Sequence, residues 1–255
     1  MYAGDLDGNM ERGINKKELL EKVRRLHKIF HSGKIPVLSK HEVNPGLAKD
    51  SRENYLYFTL PPCINFQRSS TAMWAAALKT YNDPETKYLF YPEEVVTRSR
   101  DTIQKDLLKH KLALQKNKHT DIWMIISKAF SEHFSNDPRE LLKKGKWDVL
   151  GIHQIIQKDM KKEFPYISGP KMSNYWLYIL SQYTAAKFAN MQEISIIPDT
   201  HVLQCSLRLG MSEPKTSPLE VARIWKDLLE GMEISPVEMH PVLWNWSRNN
   251  FLPEV

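Results

Sequence analysis

The residues of this chain whose types and spacing could do chemistry are gathered between Phe164 and Gly210, in FPYISGPKMSNYWLYILSQYTAAKFANMQEISIIPDTHVLQCSLRLG. A basic helical stretch, 147–162, runs into a tight turn from Pro165 to Pro170, and a second helix opens at Lys171. Helices joined in this way can present the backbone N–H groups of the turn to a phosphate, and the dipole of the second helix adds to the attraction. Lys158, Lys161 and Lys162 flank the same backbone. The same residues also suit an ordinary corner between helices with a solvated basic face, and the segment alone does not choose between the two. Further on, Ile197-Pro198-Asp199-Thr200-His201-Val202 sets a carboxylate before a helix whose Val202, Cys205, Leu207 and Leu209 are expected to face inward. Taken singly, Asp199 is an N-cap and Lys171 a phosphate contact.

The elements that must hold these residues read as helices almost throughout, which predicts an all-α fold. Leu19, Leu20, Val23, Leu26, Ile29 and Phe30 form one stripe over Lys16–His31. Ile152, Ile155, Ile156 and Met160 form another, as do Ala222, Trp225, Leu229 and Met232. Further helices are expected near 69–81, 100–113, 118–134, 170–189, 200–209 and 236–250. Stops fall at Asn82-Asp83-Pro84, Asn136-Asp137-Pro138, Gly210 and Gly231. Strand-like alternation is confined to short pieces such as Tyr55–Thr59. Residues 32–54 read as a linking loop, and Ala189–Pro198 as a second irregular stretch. The expected organisation is an N-terminal helix and linker, 1–54, packing with the C-terminal lobe. A central lobe, 55–190, ends in the helical hairpin, and a C-terminal lobe, 191–255, carries Asp199. A cleft between two such lobes is where a ligand is expected.

Composition narrows the chemistry. The chain has 255 residues, 36 Lys+Arg against 30 Asp+Glu, and two cysteines. Cys63 and Cys205 cannot supply a disulfide framework, a four-thiolate zinc site or a four-cysteine iron–sulfur cluster. No apolar run reaches the eighteen residues a membrane span needs, and the N-terminal stretch lacks the apolar core of a signal peptide. A reducing intracellular compartment and no membrane partner are the expectation. Between Arg139 and Lys171 there are eight Lys/Arg against four Asp/Glu, so most of the net +6 lies in one place. Asp5-Leu6-Asp7-Gly8-Asn9 opens like a calcium loop but has Met10 and Lys16 where Gly and Glu are needed. His27 and His31 are spaced like two zinc ligands without a third, so no metal site is expected. Gly-rich phosphate loops and the serine nucleophile elbow are absent.

Taken together, a hairpin ending in Gly169-Pro170-Lys171, a long helix, and Pro198-Asp199-Thr200-His201-Val202 with Arg208-Leu209-Gly210 behind it resemble the helix-hairpin-helix DNA glycosylase superfamily. That superfamily includes endonuclease III and the 8-oxoguanine DNA glycosylases. The resemblance extends over about 55–250. Asn65-Phe66-Gln67-Arg68-Ser69-Ser70 followed by Trp74 is similar to the family's Gln-containing segment. Leu114-Gln115-Lys116-Asn117-Lys118 is similar to its mid-domain Lys-bearing stretch, and Met239–Arg248 to its final helix. Two departures stand out. The hairpin has one glycine, in Ile167-Ser168-Gly169, where the family usually has two, and the interval from Lys171 to Asp199 is longer than in endonuclease III-like members. The absence of a C-terminal cysteine cluster is similar to the 8-oxoguanine glycosylases.

The resemblance implies a base-excision glycosylase with an associated AP lyase (β-elimination) activity, acting as a monomer on double-stranded DNA that contains a damaged base. An oxidised purine such as 8-oxoguanine is the expected lesion. Oxidised pyrimidines or mismatched bases are the nearest alternative. A non-catalytic DNA-binding module, or a glycosidase for free or RNA nucleosides, are alternatives of other classes. Asp199 would stabilise positive charge developing on the sugar and help to deprotonate the nucleophile. Lys171 would attack C1′ and form a Schiff base. The positive end of its helix and partial burial would both favour the free amine. DNA contacts are implied for Lys161, Lys162, Ser168, Gly169 and His201, and gap filling behind the flipped base for Gln67 or Arg68. Trp74, Trp244 and Phe251 are candidates to stack on the base, although buried tryptophans more often simply pack. A monovalent cation bound by carbonyls around Tyr166–Gly169 is a further implication. No other cofactor is expected.

Overall fold

A computed structural model describes residues 16–37 and 43–255. The aborted calcium-loop sequence at Asp5–Asn9 and the middle of the 32–54 linker lie outside the described residues. Twelve α-helices are seen among them: α1 (Lys16–His31), α2 (Arg52–Thr59), α3 (Ser70–Asn82), α4 (Pro92–Val95), α5 (Arg100–Lys109), α6 (Lys116–His133), α7 (Pro138–Lys144), α8 (Val149–Gln154), α9 (Pro170–Tyr183), α10 (Thr200–Arg208), α11 (Pro218–Leu229) and α12 (Met239–Arg248). Among the described residues there is no strand, only one bridge between Asp148 and Ala189. The protein is all-α. Local chemistry explains many of the starts: side chains of Ser51, Ser69, Ser99, Asp137, Asp148, Asp199 and Ser217 accept first-turn amides, and prolines open α7, α9 and α11.

The chain forms two compact units. The larger, 43–197 among the described residues, is built around aromatic rings. Tyr57 stacks on Trp74 and Phe90 with centroids 5.7 and 5.5 Å apart, and Phe58 stacks on Tyr183 at 5.0 Å. Buried indole N–H groups are satisfied, Trp123 by the Leu89 carbonyl and Trp176 by the Thr59 hydroxyl. The aromatic packing explains why Tyr55–Thr59 is helical rather than strand-like. All of Asn54–Thr59 is buried, so the segment shows no helical stripe against which alternation could be judged.

Two glycines fix how α8 lies on α7. A Cβ on Gly151 would come 2.6 Å from the Gly145 carbonyl oxygen, and one on Gly145 would come 2.6 Å from Ile152 Cγ1. After Gln154 the chain widens into a π-turn over Ile155–Asp159, closed by the Met160 amide donating to the Ile155 carbonyl. The expected 147–162 helix is therefore shorter, and Lys161 and Lys162 lie beyond it in the turn. The expected 170–189 helix also ends early, at Tyr183. Thr184 becomes extended, and the Ala185 amide donates to Lys49 O. Ala189 then exchanges backbone bonds with Trp147 and Val149. The long interval between Lys171 and Asp199 is thus taken up by an irregular return, 184–198, and not by a longer helix.

The second unit comprises 16–37 and 198–255 among the described residues, with α1, α10, α11 and α12. Leu19, Val23 and Leu26 bury the apolar stripe of α1. Trp225 is fully buried and donates to Ser206 Oγ at 2.8 Å. Val202, Cys205 and Leu209 face this core as expected, whereas Leu207 is 44% exposed.

Candidate active-site residues

In the larger unit the turn between the π-turn and α9 is anchored from beneath. Phe164 is buried against Phe130 and Phe134, and Ile167, three residues further on, is buried as well. The left-handed position of the turn is occupied by Tyr166, at φ 68°, whereas Gly169 has φ −68°. A non-glycine residue there costs about 1–2 kcal/mol. Tyr166 is held by its hydroxyl, which donates to Asn65 O at 2.7 Å, and by edge contact with Phe66. A Cβ on Gly169 would sit a tight 3.2 Å from the Tyr166 carbonyl oxygen, so the turn would have to shift by a few tenths of an ångström to accept one.

The amides of this turn are used internally. Ile167, Ser168 and Gly169 donate to the carbonyls of Pro165, Phe164 and Tyr166. These three N–H groups thus already have acceptors within the turn, which the sequence does not reveal. The first-turn amides of α9, at Lys171 and Met172, have no side-chain cap, since Gly169 as N-cap offers no acceptor. A cation at the hairpin would have to share the Tyr166 and Gly169 carbonyls, which already accept the Gly169 and Ser173 amides.

Lys171 is exposed, so the partial burial expected from sequence is missing. Lys158, Lys161 and Lys162 are exposed as well, and none of the four has an ion-pair partner among the described residues. Elsewhere in the basic stretch Arg139 pairs with Asp137 and Lys143 with Glu140, both at 2.6 Å. Lys144 and Lys146 are exposed and without an ion pair among the described residues too, so the uncompensated charge runs along 144–171. Gln157 of the π-turn donates to Ser173 Oγ at 2.7 Å, tying that turn to α9 two residues beyond Lys171.

The segment before α3 divides its residues by role. Gln67 is exposed with φ 53°, free for contact. Arg68 is not free: its guanidinium donates to Lys111 O and Leu112 O at 2.9 and 2.8 Å, clamping two loops together. Of the two candidates for gap filling, Gln67 alone is available. The clamped loop also presents Leu114, 48% exposed, at the start of the Lys-bearing stretch. Trp74 is fully buried, its indole N–H donating to the Tyr175 hydroxyl at 3.0 Å, and cannot stack on an extruded base.

In the smaller unit Asp199 caps α10 with Oδ1, which accepts the Val202 amide at 2.9 Å. Its Oδ2 lies 3.2 Å from His240 Nε2. Burial pushes this carboxyl up, but the hydrogen bond and charge of His240, the Val202 amide and nearby His201 outweigh it and hold the group below the usual carboxylate range. His201 sits on the same helix. Ser247 donates to Gln204 Oε1 at 3.2 Å, so its oxygen accepts from His201 Nδ1 at 3.1 Å. Trp244 is half-buried, edge-on to His201 at 5.3 Å and covered by Arg248 at 4.6 Å. Phe251 is half-buried between Trp246 and Arg208. Trp244 therefore belongs to the surroundings of Asp199 through His201, and Phe251 packs against different neighbours. Sequence reasoning missed His240 because its partner is 41 positions away and no local pattern links them. Both cysteines are buried free thiols, and burial pushes Cys205 up to about 12.

No protein-family model matches this sequence, and no curated protein matches it. Among solved structures, the chain is similar to endonuclease III trapped as a covalent intermediate with DNA, in an estranged-adenine complex. The TM-score is 0.51 and the identity 16%, over 93% of this chain and 88% of that one. No helix of the described residues is long and apolar enough to cross a membrane. What the likeness shows is the architecture: an all-α fold similar to that of endonuclease III.

Proposed function

We propose that this protein is a DNA glycosylase with an associated AP lyase activity, and that 8-oxoguanine or a related oxidised purine is its lesion. The observation that carries the reading is Lys171: an exposed amine without an ion-pair partner among the described residues, at an uncapped helix N-terminus, in a chain with an endonuclease III-like fold. Lys158, Lys161 and Lys162 supply a basic surface beside it for the DNA backbone. Gln67, with the exposed Leu114 on the neighbouring loop, occupies the gap left by the extruded base.

In the reaction, positive charge grows on the sugar as the bond from C1′ to the base lengthens, and the ionised Asp199 stabilises it. Lys171 Nζ forms the new bond to C1′ as the base departs with the electron pair of the old one. Loss of the amine proton and opening of the sugar ring give an imine, and removal of a C2′ proton then expels the 3′ phosphate. The preference for an oxidised purine rests on the lack of a cysteine cluster. An oxidised pyrimidine or a mismatched base would use the same two residues. We further propose that the protein acts as an intracellular monomer.

The test is borohydride trapping on duplexes that carry one 8-oxoguanine, one thymine glycol, one mismatch or one abasic site. A covalent adduct with the wild type that vanishes in Lys171→Gln is the expected result. Tight duplex binding with no adduct on any substrate would identify a binding module instead.

A further inference from the structure

Asp199 needs only one oxygen to cap α10, and the second is engaged by a histidine from another helix. His240 lies in the first turn of α12, its side chain 18% exposed and that of Asp199 30% exposed. The register that brings it there is fixed by contacts further along the same two helices: Cys205 Sγ to Leu243 O at 3.3 Å, and the chain from Gln204 through Ser247 to His201. His240 is thus held where its Nε2–H meets Oδ2, as the Val202 amide meets Oδ1. The groups facing the carboxylate are His240, His201 and the Cys205 thiol.

We propose that His240 is a positioning residue for base excision: it donates Nε2–H to Asp199 Oδ2 and so fixes the orientation of the carboxylate. A carboxylate that stabilises a cationic transition state must stay ionised in a partly buried site and keep its full negative charge. Without any donor, Oδ2 would be left with burial alone, and the carboxylate could turn about its χ2. Misplacement of a reacting group by about 1 Å costs on the order of 100-fold in rate. This inference rests on the reading of Asp199 given above.

Two measurements test it. The first, independent of activity, follows the Asp199 carboxyl carbon by NMR titration in the wild type, His240→Leu, His240→Gln and His240→Asn. Gln places an N–H donor where Nε2 was, and Asn is too short to reach, which keeps the comparison usable if the leucine variant folds poorly. Asp199 is expected to titrate at higher pH in His240→Leu and His240→Asn, with His240→Gln between these and the wild type. The same midpoint in all four proteins would overturn the proposal. The second is single-turnover excision on the lesion duplexes above. His240→Leu or His240→Asn is expected to slow excision by about 10- to 100-fold, and His240→Gln to restore most of it. Adding His240→Leu to Asp199→Asn is expected to cost nothing more. Wild-type rates in His240→Leu and His240→Asn, or full additivity with Asp199→Asn, would overturn the role of His240 and leave the glycosylase reading standing. A wild-type protein that processes no lesion would defeat that reading, while the titration still decides whether His240 holds Asp199.

Discussion

Lys171 and Asp199, one in each compact unit, are held in opposite ways. Lys171 stands exposed at the start of α9 with no ion pair among the described residues, and what is anchored is the backbone beneath it, through Phe164, Tyr166 and Ser173. Asp199 is largely covered, with each oxygen given its own donor. The contrast matches the two chemical tasks. A nucleophile must travel to form a bond, so its side chain is left free on a fixed base. An electrostatic group contributes by not moving, since a prearranged charge needs no reorganisation during the reaction.

The comparison can be broken most sharply at Lys171. Lys171→Gln should bring strand cleavage to background while leaving duplex affinity within a few-fold, measured by gel cleavage and fluorescence anisotropy. Asp199→Asn should slow excision by about 100- to 1,000-fold, because a neutral amide cannot stabilise the developing charge. Asn still caps helices well, so affinity and folding should be largely retained.

In the framework under Lys171, Gly151→Ala should destabilise the larger unit by about 1–3 kcal/mol, read from denaturant melts, since the new Cβ meets a backbone carbonyl and not a flexible side chain. Lys161→Ala and Lys162→Ala should each reduce the salt slope of DNA binding by about 0.9, with little change in folding.

A further difference lies in acid stability. His119, fully buried, has its Nδ1 accepting the Leu114 amide, and burial lowers it to about 4. A histidine depressed in the folded state gives stability that is complete above its ordinary value near 6.5 and is lost as pH falls toward 4. For Asp199, also depressed, the contribution is complete above its ordinary 3.8 and is lost only below it. Hydrogen exchange should therefore show the His119-dependent loss between pH 6.5 and 4, absent in His119→Gln. An Asp199-dependent loss should begin only below about pH 4 and be absent in Asp199→Asn.

How much of this was legible in the sequence follows the range of the interactions. The stripe of α1 and the cap at Asp199 are local patterns, and the helices they predict are present at Lys16–His31 and from Thr200. Tyr55–Thr59 hid its helix because the packing around it leaves no polar face. The run from Tyr183 to Ala189 is compatible with a helix, but pairing with Lys49, Trp147 and Val149 prevails over that preference. Lys171 could be singled out from its place after the hairpin, whereas its exposure could not. The left-handed Tyr166 and the pairing of His240 with Asp199 depend on partners about 100 and 41 positions away, and a single sequence carries no trace of either.

The most direct measurement is mass-spectrometric mapping of the borohydride-reduced adduct formed on an abasic-site duplex. A single modified peptide with the sugar remnant on Lys171 is predicted. An adduct on another lysine or on the N-terminal amine, or no adduct at all, would contradict the assignment of Lys171 as the nucleophile.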